Sequence, residues 1–243
     1  MDRQNIDRME RDIIGVARSR FGTDLVSLLV VGSYATYDFV LGYSDYDLLA
    51  FVTDQSRGRT NFTLDELSTT YSLDIKCSVR PMADLRNRIL DNDLATRFIG
   101  NIGLLDLKLR ARPLYGENVA NAIPDINELL GRDLRSELQA EYLHATDADP
   151  QKNIFVREPK DWCNYIINMS GMLLLSKGLV SQKDRYPELL HIHHPNFKGV
   201  PSLEKALTFR RSLKILDLKE RERTDFKNTL TLFLEEYRRY TFK

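Results

Sequence analysis

The stretch SLLVVGSYATYDFVLGYSDYDLLAFV, residues 27–52, decides the fold of this chain. It holds two apolar runs, residues 28–31 and 48–52, and each is bounded by glycine, serine or aspartate. Short apolar runs bounded in this way predict two strands of a buried sheet. Because side chains alternate between the faces of a strand, Asp45 and Asp47 are expected to project from the same face of the second strand.

The paired acids and the turn before them indicate a site for phosphates and a metal ion. Two neighbouring carboxylates repel each other, and both stay ionised only when a cation lies between them. Mg²⁺ suits such ligands, because it binds through one or two carboxylates and completes its shell with water and substrate phosphates. At the turn, Gly32 allows a close approach of the backbone, and Ser33 could donate its hydroxyl to a phosphate oxygen.

The order of these residues resembles a known family, the polymerase-beta-like nucleotidyltransferases. The family signature is a Gly-Ser turn followed by an Asp-x-Asp pair with apolar neighbours. In this chain the two parts are Gly32-Ser33 and Asp45-Tyr46-Asp47. The alternative explanation is that the two aspartates only cap a turn, since short motifs also occur by chance.

The family also needs a third carboxylate on a later strand, and the candidate is Asp74. Residues 71–79 alternate polar and apolar side chains, as a half-buried strand does. The resemblance implies that Asp45 and Asp47 hold metal ions and that Asp74 acts as a metal ligand, as a general base, or as both. Lys76 lies on the face of Asp74, where it could pair with that carboxylate, reach a phosphate, or form a simple surface ion pair.

The reaction implied by the resemblance is nucleotidyl transfer. An acceptor hydroxyl attacks the alpha phosphorus of a nucleoside triphosphate, and pyrophosphate leaves. Two divalent ions about 3.5–4 Å apart promote such a displacement by clamping the attacking and leaving oxygens. The turn at Gly32 and Ser33 would hold the beta and gamma phosphates through backbone N–H groups and the serine hydroxyl.

The composition limits the partners of the protein. Hydrophobic residues make up 42% of the chain and charged residues 29%, which is typical of a globular protein with a real core. Lys plus Arg and Asp plus Glu number 35 each, and this balance counts against binding of long nucleic acids.

The polar start of the chain and the lack of a membrane-length apolar run favour a cytoplasmic protein. Cys77 and Cys163 fit buried thiols better than a disulfide.

Hydrophobic periodicity predicts an α+β fold with two domains. The resemblance implies that residues 1–120 form a small mixed-sheet nucleotidyltransferase domain, and the helical pattern predicts an all-α helical bundle over residues 121–243. Residues 161–177 are apolar on most sides, which predicts the central helix of that bundle.

Four local patterns complete this prediction. Helices are expected over residues 81–90 and 94–110, and a turn over residues 113–117, PLYGE. The histidine-rich residues 191–194, HIHH, favour a polar loop before a proline, with metal binding as the alternative.

The second domain resembles the carboxy-terminal domain of the aminoglycoside adenylyltransferases. The resemblance lies in an apolar helix at residues 164–175 and in a Gly-containing turn with a Lys-Asp helix start at residues 177–184. It implies that Lys183 reaches the triphosphate of ATP, although a solvated lysine would explain the position too. It also implies that Asp161 contacts a cationic drug. Capping of the helix N-terminus by Asp161 is the alternative.

The chain also departs from this family. The usual paired glycines before Asp-x-Asp are replaced by residues 38–43, DFVLGY, and Gly171 stands where arginine is common. The function predicted first is Mg²⁺-dependent transfer of AMP from ATP to a hydroxyl of a small molecule, with an aminoglycoside-like antibiotic as the acceptor and antibiotic resistance as the result. The alternatives are AMP transfer to a protein or an RNA end, and an antitoxin-type binding module of the same superfamily.

Overall fold

The computed structural model describes four ranges of residues, 3–56, 61–62, 64–86 and 100–243. The chain forms two compact units, Met1–Leu129 and Leu130–Lys243. The first unit contains the sheet, and the second is built from helices and the loops between them. This organisation confirms the predicted α+β class. The division into a catalytic and a helical domain at residue 120 stays a prediction.

The first unit is organised around one five-stranded mixed sheet. The strands are β1 (Leu25–Val31), β2 (Tyr46–Val52), β3 (Asn61–Phe62), β4 (Ile75–Pro81) and β5 (Arg112–Gly116). They lie in the order β3-β4-β2-β1-β5. β2 and β4 are parallel, and the other neighbours are antiparallel. The two apolar runs that opened the sequence therefore form the adjacent strands β1 and β2.

Helices of the first unit cover and connect these strands. They are α1 (Arg3–Phe21), α2 (Gly32–Ala35), α3 (Asp65–Tyr71), α4 (Met82–Arg86) and α5 (Gly100–Arg110). The helices predicted over 81–90 and 94–110 correspond to α4 and α5 within the described ranges, and residues 87–99 lie outside them. Met9, Ile13 and Ala17 recur every four residues along α1 and are fully buried in the core that includes β1, β2 and β4.

The parallel pair β2 and β4 brings the beginnings of two strands to one edge of the sheet. The chain leaves β2 at its carboxyl end and passes through β3 and α3 before it enters β4 in the same direction. Such a crossover is what a parallel pair requires. Residues that immediately precede β2 and β4 are consequently neighbours in space.

The turn predicted over residues 113–117 is wrong, because this segment is largely the edge strand β5. Leu28 of β1 pairs with Tyr115, and the N–H of Glu117 donates to the carbonyl of Val26 at 3.0 Å. Pro113 is tolerated there because an edge strand leaves one row of backbone groups unpaired. Gly116 has φ of +78°, and an added Cβ would lie 2.1 Å from the carbonyl oxygen of Val26. Close strand pairing therefore explains this glycine better than a free turn.

The second unit is a helical bundle around one apolar helix. Its helices are α7 (Leu134–Ala145), α8 (Pro159–Leu175), α9 (Tyr186–His193), α10 (Val200–Arg211) and α11 (Glu220–Thr241), and the short α6 (Ile126–Leu130) precedes them. α8 packs against α7, α9, α10 and α11. Ile166, Leu173 and Leu175 on α8 have no exposed surface. The predicted central helix is confirmed.

The polar loop predicted over residues 191–194 is also wrong. α9 continues through His193, and His194 is 2% exposed. Both of its ring nitrogens have partners, since Nε2 lies 2.9 Å from the carbonyl oxygen of Leu173 and Nδ1 lies 2.9 Å from Oη of Tyr240. Burial lowers the pKa of His194 to about 4. This histidine therefore belongs to the packing of the bundle.

Two other sequence expectations concern thiols and membranes. Cys163 is buried and Cys77 is half-buried, and neither forms a disulfide. In the ranges that the structure covers, no helix combines the length and the apolar character needed to cross a bilayer.

Candidate active site

The turn after β1 depends on a glycine. Gly32 has φ of +69°, a left-handed conformation that residues with a side chain rarely adopt. A Cβ atom at this position would lie 2.9 Å from Oδ2 of Asp47. The missing side chain thus lets the carboxylate of Asp47 lie directly against the turn that begins α2.

Local hydrogen bonds hold the connection between this turn and β2. The N–H of Asp38 donates to the carbonyl of Ser33 at 2.8 Å, and the Thr36 hydroxyl donates to Oδ2 of Asp38 at 3.0 Å. Closer to β2, the N–H of Val40 donates to Oγ of Ser44 at 2.9 Å. The connection is therefore a structured loop, and Ser33 lies half-buried at its start.

Most aromatic side chains of the loop pack inward. Tyr34 stacks on Phe39 with ring centroids 4.3 Å apart, and its centroid lies 4.8 Å from that of Tyr46. Tyr43 is 4% exposed. Tyr37 differs, because it is 71% exposed and has φ of +58°. Tyr34, Tyr43 and Tyr46 belong to the core, whereas Tyr37 presents its ring to solvent beside the turn.

Asp45 and Asp74 occupy matching positions at the starts of two parallel strands. Tyr46 of β2 pairs with Ile75 of β4, so the residues just before them lie side by side. The N–H of Tyr46 also donates to the carbonyl of Asp74 at 2.8 Å, which ties the two strand starts together. In the next register position, Asp47 is opposite Lys76.

The carboxylates of Asp45 and Asp74 share one ammonium group. Nζ of Lys76 lies 2.8 Å from Oδ2 of Asp45 and 2.8 Å from Oδ2 of Asp74. The side chains of Lys76 and Asp74 are 53% and 59% exposed, and that of Asp45 is 18% exposed. Burial lowers the pKa of Lys76, but the hydrogen bonds to both carboxylates outweigh it and keep the pKa above its ordinary value. Among the alternatives for Lys76, the structure shows the ion pair with Asp74, and the same ammonium group also pairs with Asp45.

The donor set suits a hard divalent cation. Within the described ranges, no three His, Cys, Asp or Glu side chains are grouped as metal ligands. Asp45 and Asp74 nevertheless converge on one positive charge, and Asp47 lies one register step away against the turn. Carboxylate oxygens that already surround a cation are the ligand type that Mg²⁺ prefers. The residues therefore fit Mg²⁺, and the roles of Asp45, Asp47 and Asp74 as its ligands stay a prediction.

The opposite face of β2 carries a second ionic cluster that sequence reasoning missed. Oη of Tyr46 donates to Oε1 of Glu10 at 2.6 Å. Arg112 donates from Nη2 to the same oxygen at 2.5 Å and from Nη1 to Oε2 at 3.2 Å. Burial and the bond to Glu10 raise the pKa of Tyr46 far above its ordinary value. The residue between the two aspartates is thus anchored to α1 and β5.

The two site residues predicted in the helical unit lie in separate elements. Asp161 is exposed in the first turn of α8, and its N–H donates to the carbonyl of Glu158, which is the N-cap residue. The capping alternative for Asp161 is therefore wrong, although a carboxylate in the first turn still complements the helix dipole. Lys183 begins the short 3₁₀ turn Lys183–Arg185 and is half-buried. The ligand contacts of both residues stay predictions.

Comparison with solved structures identifies proteins of similar fold. The chain is similar to spectinomycin adenyltransferase AAD(9) from Enterococcus faecialis, solved with ATP and spectinomycin, with a TM-score of 0.55 and 14% identity over 95% of this chain and 98% of that one. A second similarity, to the MntA–HpeT toxin–antitoxin complex, covers 54% of this chain and 93% of that one at 14% identity, and its TM-score of 0.35 is too low to establish a shared fold. No protein-family model and no curated sequence matches the chain.

These findings define the class of architecture. The chain has the fold of a nucleotidyltransferase, a mixed-sheet unit followed by a helical one. The predicted resemblance to the adenylyltransferases is therefore confirmed at the level of the fold.

Proposed function

We propose that the protein is a Mg²⁺-dependent nucleotidyltransferase that moves AMP from ATP to a hydroxyl of a small molecule. One observation carries the proposal above all. The carboxylates of Asp45 and Asp74, from the starts of parallel strands, both pair with the ammonium group of Lys76, whose register partner is Asp47. A fold shared with an adenyltransferase that was solved with ATP supports the same reaction.

The three aspartates would have different roles. Asp45 and Asp47 would hold Mg²⁺, which when bound neutralises charge on the triphosphate and activates the attacking hydroxyl. Of the two carboxylates that pair with Lys76, that of Asp74 is the more exposed, so an acceptor hydroxyl can reach it from solvent. Its carboxylate would orient that hydroxyl and accept its proton, or serve as a further metal ligand.

The phosphates would be held by the turn at Gly32. The N–H groups of the turn at Gly32 and the hydroxyl of Ser33 would donate to the beta and gamma phosphates. Lys183 would supply a positive charge to the same triphosphate. Tyr37, the exposed ring of the loop, has a flat apolar surface on which an adenine or a sugar ring could stack.

The acceptor class that we favour is an aminoglycoside-like antibiotic. The fold relative was solved with spectinomycin, and the exposed carboxylate of Asp161 suits a ligand rich in ammonium groups. Adenylylation of such a drug in the cytoplasm, where ATP is available, would give antibiotic resistance. The alternative acceptors are a protein or an RNA end, and the balanced charge of 35 basic and 35 acidic residues counts against the RNA end.

The direct test is to incubate the protein with ATP, Mg²⁺ and a panel of aminoglycosides, and to measure the mass of each compound. We expect one acceptor or a related group to gain a single adenylate. Asp45→Asn should abolish the gain, and Asp7→Asn, which removes an exposed carboxylate of α1, should leave it unchanged. An adenylate mass gain found only on protein or RNA would favour the alternative acceptors. No transfer to any acceptor would overturn the proposal.

A further inference from the structure

Lys76 connects the two strands that carry the candidate acids. It belongs to β4, two residues after Asp74, and its register partner on β2 is Asp47. Its ammonium group bridges to Asp45, the residue that precedes β2. All three aspartates of the proposed site therefore lie at the strand starts around this one side chain.

The ammonium group occupies the position where the acids need a positive charge. Without a cation, carboxylates from adjacent strands would repel each other. With Lys76 in place, Asp45 and Asp74 each accept a hydrogen bond of 2.8 Å. A divalent ion bound through the same oxygens would need the lone pairs that now accept from the ammonium group, so the ion and the ammonium group would compete for them.

The side chain of Lys76 is also able to leave. It is 53% exposed, and a lysine stem has several rotatable bonds and carries its charge as a compact group. Once displaced, the ammonium group would remain at the edge of the site, where the proposed nucleotide brings its triphosphate. Attraction to phosphate would then replace attraction to the carboxylates.

We propose that Lys76 is a positioning residue that keeps Asp45 and Asp74 together before a metal ion binds, competes with the entering metal ion, and then moves its ammonium group to the triphosphate. This inference rests on the proposed function for its last step. Its first two steps concern only the chain and a divalent ion. A surface ion pair without function would lack the last step, the contact with the triphosphate, and would leave the affinity for ATP unchanged.

The experiment measures Mn²⁺ binding to the full chain without nucleotide, by electron paramagnetic resonance. Lys76→Met removes the competing charge, so we expect Mn²⁺ to bind roughly tenfold more tightly than to the unmodified protein. Lys76→Arg keeps the charge and should bind Mn²⁺ as the unmodified protein does. Lys152→Met is the matched control, because Lys152 lies near two aspartates, Asp147 at 3.8 Å and Asp149 at 4.0 Å, on the helical unit.

The second measurement is the affinity for ATP with saturating Mg²⁺. Lys76→Met should weaken it by roughly tenfold, as the loss of one charged contact to phosphate does. Lys152→Met should change neither affinity. Equal or weaker Mn²⁺ binding by Lys76→Met, or no Mn²⁺ binding by any variant, would overturn the role of Lys76. Failure of AMP transfer to every acceptor would instead refute the proposed function and leave the Mn²⁺ comparison valid.

Discussion

The two faces of β2 carry two ionic clusters of different character. On one face, Lys76 bridges Asp45 and Asp74, and both Lys76 and Asp74 are more than half exposed. On the other face, Glu10 accepts hydrogen bonds from Tyr46 and Arg112, and the side chain of Glu10 is 13% exposed. The clusters are one residue apart along the strand, because Tyr46 follows Asp45.

This difference is the one expected between a cluster that rearranges around ligands, as we propose for Lys76, and a cluster that only supports the fold. Exposed ion pairs contribute about 0.2–1 kcal/mol, so the Lys76 cluster can rearrange at small cost when a ligand enters. Loss of one partner from a fully buried pair costs about 3–5 kcal/mol. The Glu10 cluster is partly buried, with the Arg112 side chain 30% exposed, so breaking it should cost less than that but more than breaking an exposed pair. The second cluster fixes the backbone of β2, and the first uses that fixed backbone to present its acids.

The largest effect that we expect is on catalysis, in Asp47→Asn. Loss of one metal ligand should reduce AMP transfer by roughly 10³-fold, since metal ions contribute several kcal/mol to such reactions. The free energy of unfolding, measured with urea, should stay within about 0.5 kcal/mol of the unmodified protein, because loss of one negative charge relieves repulsion among the acids. Full transfer activity in this variant, measured by adenylate incorporation, would show that the exposed cluster is not the catalytic one.

The next effect is on stability, in Glu10→Ala. This change leaves the Arg112 guanidinium and the buried Tyr46 hydroxyl without their shared acceptor, and we expect a loss of about 2 kcal/mol in the free energy of unfolding. Glu188→Ala is the matched control, because Glu188 pairs with Arg185 on the surface and both side chains are more than half exposed. The control should lose less than about 1 kcal/mol. Equal losses in the two variants, measured by urea denaturation, would remove the contrast between buried and exposed clusters.

A smaller effect is expected at the turn, in Gly32→Ala. The left-handed backbone costs a residue with a side chain about 1–2 kcal/mol. The new methyl group would also press on Oδ2 of Asp47, 2.9 Å away. We expect a larger effect on the rate of AMP transfer than on the free energy of unfolding, because the carboxylate of Asp47 must shift while the core stays in place. Gly42→Ala, also at positive φ but with open space around its Cβ position, should lose similar stability and keep its activity.

Glu141 is a buried carboxyl group in the helical unit, and it provides a further test of what burial does to an acid. Burial raises the pKa of Glu141 to about 7, and its Oε2 has no hydrogen-bond partner in the part of the chain described. The folded state then holds a proton that the unfolded state releases above its ordinary pKa of 4.5. Stability should therefore fall as the pH rises from about 4.5 to about 7.

Glu141→Gln isolates this contribution. The variant should gain about 1–3 kcal/mol relative to the unmodified protein between pH 5 and pH 8. The comparison between variant and unmodified protein is needed because His194, whose pKa is lowered to about 4, has the opposite effect as the pH falls below 6.5. A constant difference between the two proteins across this range, measured by thermal unfolding, would contradict the assignment.

The sequence predicted the acids more reliably than their surroundings. The common face of Asp45 and Asp47 follows from alternation, which is a local signal, and so does the common face of Asp74 and Lys76, whereas the choice of Asp74 as the third acid comes from the family resemblance. The Glu10–Arg112 pair joins residues 102 positions apart and depends on β5, which local turn signals hid. His194 was likewise assigned to a loop, because its bonds to Leu173 and Tyr240 come from other helices. Contacts between distant segments have no local signature.

The central claim is that the acids around β2 and β4 bind a divalent ion, and its most direct test is the anomalous scattering of Mn²⁺ in crystals grown with a non-hydrolysable ATP analogue. We expect a peak in contact with the carboxylates of Asp45 and Asp47, and Nζ of Lys76 displaced from them toward the triphosphate. A structure with bound analogue, no peak at these carboxylates and Lys76 still between Asp45 and Asp74 would contradict the account.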